Sequence, residues 1–146
     1  LFGAGTLDQT MRRRSIYFFV KRSQFIPILQ LFDAPNPSVS VGNRVSTTIA
    51  PQALLFMNNA NVREYARALA GRLKPASDKS LADSVVEGYL ITLGRRPNAT
   101  ESEDSVAFIK QQGNSYRGGN KANADELALA DFCQALFGLN EFIYVE

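Results

Sequence analysis

The chain has 146 residues, of which 45% are hydrophobic and 21% charged, a size and balance typical of one globular domain with a real core. It has no histidine and one cysteine, Cys133, which excludes a His-based triad, a haem-attachment motif, the usual zinc sites and a disulfide framework. The net charge of +2 is unevenly spread: ten Lys and Arg face three Asp and Glu through Lys74, and six face eleven from Pro75 onward.

This charge asymmetry has two interpretations. The two halves can pack together and neutralise each other, which we favour, or the N-terminal half can present a basic face to a polyanion such as nucleic acid or an acidic glycan. No recognition helix or stacking platform is evident, so no nucleic-acid partner is predicted. No apolar run approaches the roughly 18–20 residues that span a bilayer, so no membrane span is predicted in this fragment.

The chain starts with Leu1 rather than Met, and residues 1–10 are expected to be a connector from missing upstream sequence. Residues 11–146 are expected to form a single helical domain. Near its start, residues 16–20 (IYFFV) form an apolar run between basic clusters. Such a run is typical of a buried strand or extended segment.

Helical patterns follow. Pro27 opens a short and mostly buried helix, and residues 34–48 form a turn-rich loop. A second helix begins near Pro51, and its thoroughly apolar body is expected to lie inside the protein. The next covers residues 62–73, with Asn61 and Glu64 as a predicted capping box.

A helix is then predicted from Asp78 or Ser80 to residue 93, stopped by Gly94. Thr100 and Glu103 predict a capping box for a helix that carries Phe108 and Ile109. Residues 112–122 are polar and Gly-rich and are expected to form an exposed, mobile excursion.

The last predicted helix covers residues 125–137, with Cys133 as a small core residue, and residues 140–145 are expected to finish extended. The predicted fold class is therefore mainly α, a compact bundle of five to six helices. At most a small two-stranded ribbon is added, between residues 16–20 and 142–145 of the N- and C-terminal segments.

Two basic features are candidate anion sites. The first is the cluster of three arginines near the N-terminus, whose guanidinium groups suit phosphate, sulfate or carboxylate, although pairing with internal acids is the favoured interpretation. The second is the loop before Pro51, where Arg44 and neighbouring hydroxyls can cradle an oxyanion, or Arg44 can bind backbone carbonyls. The candidate ligand-binding residues are Arg12, Arg13, Arg14, Arg44, Thr47 and Thr48.

A further set of residues is assigned structural roles. Two amide side chains bracket the second helix and are expected to cap it or to form buried hydrogen bonds. The sequence LGRRP shapes a turn in which Arg95 is expected to anchor to a nearby acid. Glu141 is expected to pair with Arg13 or Arg14. These residues are Gln52, Asn58, Gly94, Arg95, Pro97, Asn140 and Glu141. No catalytic residue and no metal ligand is predicted.

Six landmarks occur in a characteristic order: RRRSIYFFVKR at 12–22, LFDAP at 31–35, TTIAPQALLFMNN at 47–59, VREYARALAGRL at 62–73, LGRRP at 93–97 and ALFGLNEFIYVE at 135–146. With this spacing the chain resembles the planctomycete surface-protein domain of unknown function 1553, PSD1, specifically its C-terminal part. The resemblance runs over nearly the whole chain from about residue 10.

The resemblance implies a place near the C-terminus of a large exported multidomain protein, in the periplasm or at the cell surface. It implies an upstream domain of the same polypeptide as partner, a loose link with polysaccharide breakdown, and haem only in a possible cytochrome c-like neighbouring domain. It carries over no catalytic residue. No cofactor is therefore expected in this chain.

Three functions follow as hypotheses. The leading hypothesis is a structural or interaction domain of unknown biochemical activity. An enzymatic function is not favoured for this fragment. The alternative is a binding module for acidic or sulfated polysaccharide, based on the basic N-terminal half and Arg44. The third is a part of an active site that the upstream domain completes.

Overall fold

A computed structural model describes residues 17, 26–36, 38–40, 42–43, 47, 49–75 and 79–144. Within these ranges there are seven helices and no strand, which confirms the mainly α class. The chain separates into two compact units that divide between Leu54 and Leu55. The prediction of one domain over residues 11–146 stays a prediction.

The first unit contains helix α1 (Pro27–Leu31) and the start of α2 (Ala50–Asn58). Pro27 occupies the first turn of α1 as predicted, because its missing N–H is not needed there. The expectation that both helices are mostly buried is wrong. No residue of α1 is buried, and in α2 the buried residue is the polar Gln52, whereas Leu54 is 51% exposed.

The second unit contains the end of α2 and the helices α3 (Ala60–Leu73), α4 (Leu81–Leu93), α5 (Ala99–Gly118), α6 (Ala124–Phe137) and α7 (Asn140–Ile143). Helix α6 packs along both α3 and α5 and also contacts α4 and α7. It carries the largest share of the buried residues in this unit. The core of the second unit is therefore built around α6.

Side-chain caps fix where α3 and α5 begin, and both predicted capping boxes are wrong by two residues. Asn59 caps α3 by accepting hydrogen bonds from the amides of Asn61 and Val62. Asn98 caps α5 in a reciprocal box with Glu101. An Asn earlier in each sequence reaches the free amides first, and a shift of this size is common at helix ends.

The predicted boundaries of α4 are confirmed. Ser80 is its N-cap and forms a capping box with Asp83, each side chain accepting a hydrogen bond from the other residue's backbone amide. Gly94 follows the helix in the left-handed region, with φ at 71°, a conformation that favours glycine.

The predicted excursion at residues 112–122 is wrong for residues 112–118, because α5 continues to Gly118. Gly113 is buried there, and an added Cβ would lie 3.4 Å from the Asp125 carboxylate of α6. Tyr116 donates a hydrogen bond to Asp131 on α6 at 2.8 Å. Packing against α6 therefore outweighs the low helix propensity of the glycines.

The expected extended C-terminal segment is also wrong for residues 140–143, which form the single turn α7. The ring of Phe142 packs 5.1 Å from that of Phe137 and edge-on to that of Phe56, which favours the turn. The other half of the predicted ribbon, residues 16–20, lies outside the described residues except Tyr17.

Close approach between α4 and the core depends on Gly88. A Cβ at this position would lie 3.0 Å from the ring of Phe132 and 3.3 Å from Leu73, and both neighbours are buried. In contrast, a Cβ at Gly71 on α3 would meet nothing within 4 Å. The two helical glycines thus have opposite structural roles.

We predict that Gly88→Ala lowers the free energy of unfolding by about 1 kcal/mol, because overpacking outweighs the gain in helix propensity. The matched control Gly71→Ala is expected to raise it by up to about 1 kcal/mol, because nothing opposes the same gain there. Urea unfolding followed by circular dichroism measures both. Equal effects of the two substitutions would show that α4 does not depend on a side-chain-free position.

Candidate functional site

The first unit holds an internal anion at the position predicted to receive an external one. The Asp33 carboxylate accepts hydrogen bonds from the Thr47 amide at 2.6 Å and from the Thr47 hydroxyl at 2.9 Å. Asp33 has φ at 56°, a strained conformation for a residue with a side chain. Thr47 therefore already binds a carboxylate of its own chain.

Gln52 links three backbone groups of the same unit. Its side-chain amide donates to the carbonyls of Leu31 at 2.8 Å and Thr47 at 3.1 Å, and its oxygen accepts from the Ile49 amide. The residue is 1% exposed, and all its polar atoms are satisfied. Gln52 thus fastens the loop before α2. Asn58, the other predicted amide, is exposed at the end of α2.

The remaining candidate anion-binding residues, Arg12, Arg13, Arg14, Arg44 and Thr48, lie outside the described residues. The binding of acidic or sulfated polysaccharide, which rests on them, stays a prediction.

In the second unit, Arg95 binds two carboxylates at once. Its guanidinium donates to Glu101 through Nη1 and Nη2, both at 2.9 Å, and to Glu141 through Nε at 2.7 Å and Nη2 at 2.8 Å. Its Cζ also lies 5.5 Å from the centre of the Tyr89 ring. One side chain therefore joins the turn after α4 to the first turns of α5 and α7.

The Arg95 network keeps its carboxylates ionised. Hydrogen bonds from Arg95, and then from the Asn98 amide, lower the pKa of Glu101 to about 2. The pKa of Glu141 is lowered by the same guanidinium, and that of Arg95 is raised by Glu101 and Glu141. A general acid or base needs a pKa near the working pH. The shifts in this network move the pKa values of Glu101, Glu141 and Arg95 further from neutral pH.

The partner of Glu141 in the structure is Arg95, whereas the partners predicted from sequence, Arg13 and Arg14, lie outside the described residues. The Glu141 side chain is 45% exposed, so a buried ion pair does not describe it. Pro97 is half-buried between the Gly94 turn and the α5 cap, and Asn140 begins α7 with its carbonyl bonded to the Tyr144 amide.

A second polar network crosses the core helices. Arg63 on α3 contacts Asp131 on α6 at 2.6 Å, and Asp131 also accepts from Tyr116 on α5. That hydrogen bond is the main reason the pKa of Tyr116 is raised. Gln134 accepts from Arg63 and donates to the carbonyls at the end of α2. The network orients helices and presents no free nucleophile.

Cys133 is fully buried on α6. Burial raises the pKa of its thiol to about 12. Because the thiolate is the reactive form, the side chain is an inert packing element, in agreement with its predicted core role.

A cavity of about 560 Å³ lies in the second unit where α3 ends and α6 begins. Aliphatic side chains and several charged groups line it. Its described lining residues are Ala70, Lys74, Pro75, Leu81, Ile109, Lys110, Asn114, Arg117, Asp125, Glu126 and Leu129. A cavity of this size suits a small ligand.

Sequence reasoning missed this cavity and the Arg63 network, whereas the anchoring of Arg95 to a nearby acid was predicted and its acids, Glu101 and Glu141, were not. Lys110 follows the apolar pair Phe108 and Ile109, and Lys74 directly follows the α3 stripe. Both positions carry a cation beside apolar residues, which is the signal available in the sequence. Which cations share a cavity depends on how the helices pack, and the pattern does not contain that information.

Among the described residues, no group of three or more His, Cys, Asp or Glu side chains is placed to hold a metal ion. None of the helices there has the length and apolarity needed to cross a bilayer.

The fold and these networks define a mainly helical domain in which the charged side chains of the two networks form ion pairs with one another. The chain belongs to the PSD1 family, described as a protein of unknown function (DUF1553), whose profile matches residues 5–109. The chain matches no curated protein and no solved structure.

The family match covers five of the six sequence landmarks and ends at residue 109, inside α5. The sixth landmark, at residues 135–146, lies beyond it. The resemblance is expected over nearly the whole chain. The family match shows it up to residue 109, in the middle of α5.

We predict that Arg95→Gln reduces the acid sensitivity of the domain. Glu101 is stabilising when ionised, so its contribution is present above its ordinary pKa of 4.5 and is lost as the pH falls through about 2. Without Arg95 the pKa of Glu101 returns toward its ordinary value. The melting temperature of the variant should be lower at neutral pH but fall less between about pH 5 and pH 2.

Arg96→Gln is the matched control, because Arg96 is exposed and its side chain makes no ion pair among the described residues. It should keep the wild-type dependence of melting temperature on pH. Parallel pH profiles for Arg95→Gln and the wild type would contradict the assigned network.

We also predict that the Cys133 thiol of the native chain does not react with Ellman's reagent at pH 8, and that one thiol per chain reacts in guanidinium chloride. The reason is that burial both excludes the reagent and keeps the thiol protonated. Rapid reaction without denaturant would place Cys133 at the surface.

Proposed function

We propose that this chain is a non-catalytic interaction domain of a larger exported protein, and that it packs against an upstream domain of the same polypeptide. The observation that carries the proposal is the outer face of α4, defined by Val86, Leu90 and Ile91. Leu90 and Ile91 are each 42% exposed, and Val86 is half-buried. A helix that buries one face normally carries polar residues on the other.

The opposite face of α4 is the one that packs into the core. Ser84, Val85, Gly88 and Tyr89 are buried against the rest of the second unit. The apolar residues of the outer face are therefore additional, and they lie next to one another along the helix. Neighbouring exposed apolar side chains are a common feature of surfaces that contact another protein, and this supports the proposal.

The ionisable groups support the non-catalytic part of the proposal. Glu101 and Glu141 are held ionised by Arg95, and the thiol of Cys133 is held protonated by burial. Each shift moves the group away from the state in which it exchanges protons or attacks a substrate near neutral pH.

Export to the periplasm or cell surface, and a link with polysaccharide breakdown, enter the proposal on the family resemblance alone. An active site completed by the upstream domain is the competing function. It predicts polar groups rather than aliphatic ones at the shared surface.

The proposal predicts that Leu90→Cys reacts with a maleimide in the 146-residue chain and is protected in the longer polypeptide that carries the upstream domain. Ala107→Cys on the exposed side of α5 is the matched control and should react equally in both. Mass spectrometry after timed labelling gives the rates, and buried Cys133 does not interfere.

Equal labelling of Leu90→Cys in the two proteins would overturn the assignment of α4 as the covered face. Turnover of any member of a glycan and ester panel by the 146-residue chain would overturn the non-catalytic part.

A further inference from the structure

The 560 Å³ cavity between the end of α3 and the start of α6 combines an aliphatic floor with a charged rim. The floor is formed by core side chains, since Ala70 is fully buried and Ile109 and Leu129 are at most 5% exposed. Because these side chains also belong to the core cluster, the cavity is part of the packed structure of the second unit.

The floor favours an aliphatic ligand over a sugar. None of the described lining residues is aromatic. Sugar rings are commonly held with a C–H face on an aromatic side chain, whereas a flexible alkyl chain gains mainly from the removal of apolar surface from water. Leu81 and Pro75 extend the aliphatic lining toward the opening.

The rim favours a negative head group. Arg117 is already paired with Asp125 across α5 and α6. The ammonium groups of Lys74 and Lys110 make no ion pair with the described residues, and Glu126 is the remaining described acid in the lining. Two cations against one anion leave this rim with a single positive charge among the described lining residues.

We propose that this cavity binds an aliphatic carboxylate, with its alkyl chain along Leu81 and Pro75 above the buried floor and its head group at Lys74 and Lys110. The inference goes beyond the proposed interaction role and does not rest on it. Lysine ammonium groups suit a single carboxylate as point charges, and their aliphatic stems continue the apolar lining outward.

Decanoate, kept below its micelle-forming concentration, is the probe for the full 146-residue chain. Calorimetric titration at low ionic strength should show saturable one-to-one binding, with amide shift changes in α5 and α6 by NMR. Acetate, which lacks the chain, and decyltrimethylammonium, which has the chain and the opposite charge, should each bind at least about tenfold more weakly. Comparable binding of the cationic probe would overturn the assignment of an anionic ligand.

Charge variants locate the head group. Lys110→Glu should weaken decanoate binding about fivefold or more, because it replaces an attraction with a repulsion. The matched control Lys121→Glu changes the same net charge at an exposed lysine outside the cavity and should leave the affinity within about twofold of wild type.

Glu126→Gln should change the affinity in the opposite direction and strengthen decanoate binding by about twofold or more. Circular dichroism of each variant verifies that the fold is kept. Absence of saturable decanoate binding to the folded wild-type chain would overturn the proposal, as would equal effects of Lys110→Glu and Lys121→Glu.

Discussion

The architecture of the second unit depends on how closely the neighbouring helices approach α6. Ala128, Ala130 and Cys133 are fully buried on this helix, and their small side chains let α3 and α5 pack against it along its length. Gly88 plays the same part on α4, where it admits the ring of Phe132. The interior is densely packed and leaves little free volume. The side chains of a polar network can therefore meet only where the packing of the helices brings them together.

The two polar networks show how the charge asymmetry of the chain is resolved in the described part. Arg63, from the basic half, pairs with Asp131 from the acidic half, whereas Arg95 and its two carboxylates all belong to the acidic half. Local pairing thus competes with pairing between the halves. Partly exposed ion pairs of this kind contribute modestly to stability, and their main effect is to fix orientation.

The fold class, several of the helix boundaries and the core role of Cys133 were predictable because they depend on local pattern. Gly94 and Pro27 act within a few residues, and Cys133 lies in a periodic apolar stripe. The continuation of α5 past Gly113 was not predictable, since its cause is the approach of α6 from elsewhere in the chain. The exposure of the apolar side chains of α2 and α4 also depends on tertiary neighbours that periodicity does not reveal.

The candidate site was less predictable than the fold for a related reason. The residues with motif-like character, such as Thr47 and Glu141, contact Asp33 and Arg95 in the structure. Lys74 and Lys110 belong to no motif, yet helix packing places them at one cavity. Local sequence identified residues capable of binding anions, but only the packed helices decide which are already occupied.

The sealed position of Cys133 gives the folded and the unfolded chain different reactivity toward oxidants. In an oxidising compartment a free thiol is a hazard, because it can form a mixed disulfide or link two chains. Here the thiol is protected once α6 is packed, so the period of risk is confined to the time before the core forms. Under oxidising conditions, the packing of α6 would therefore compete with oxidation of the Cys133 thiol.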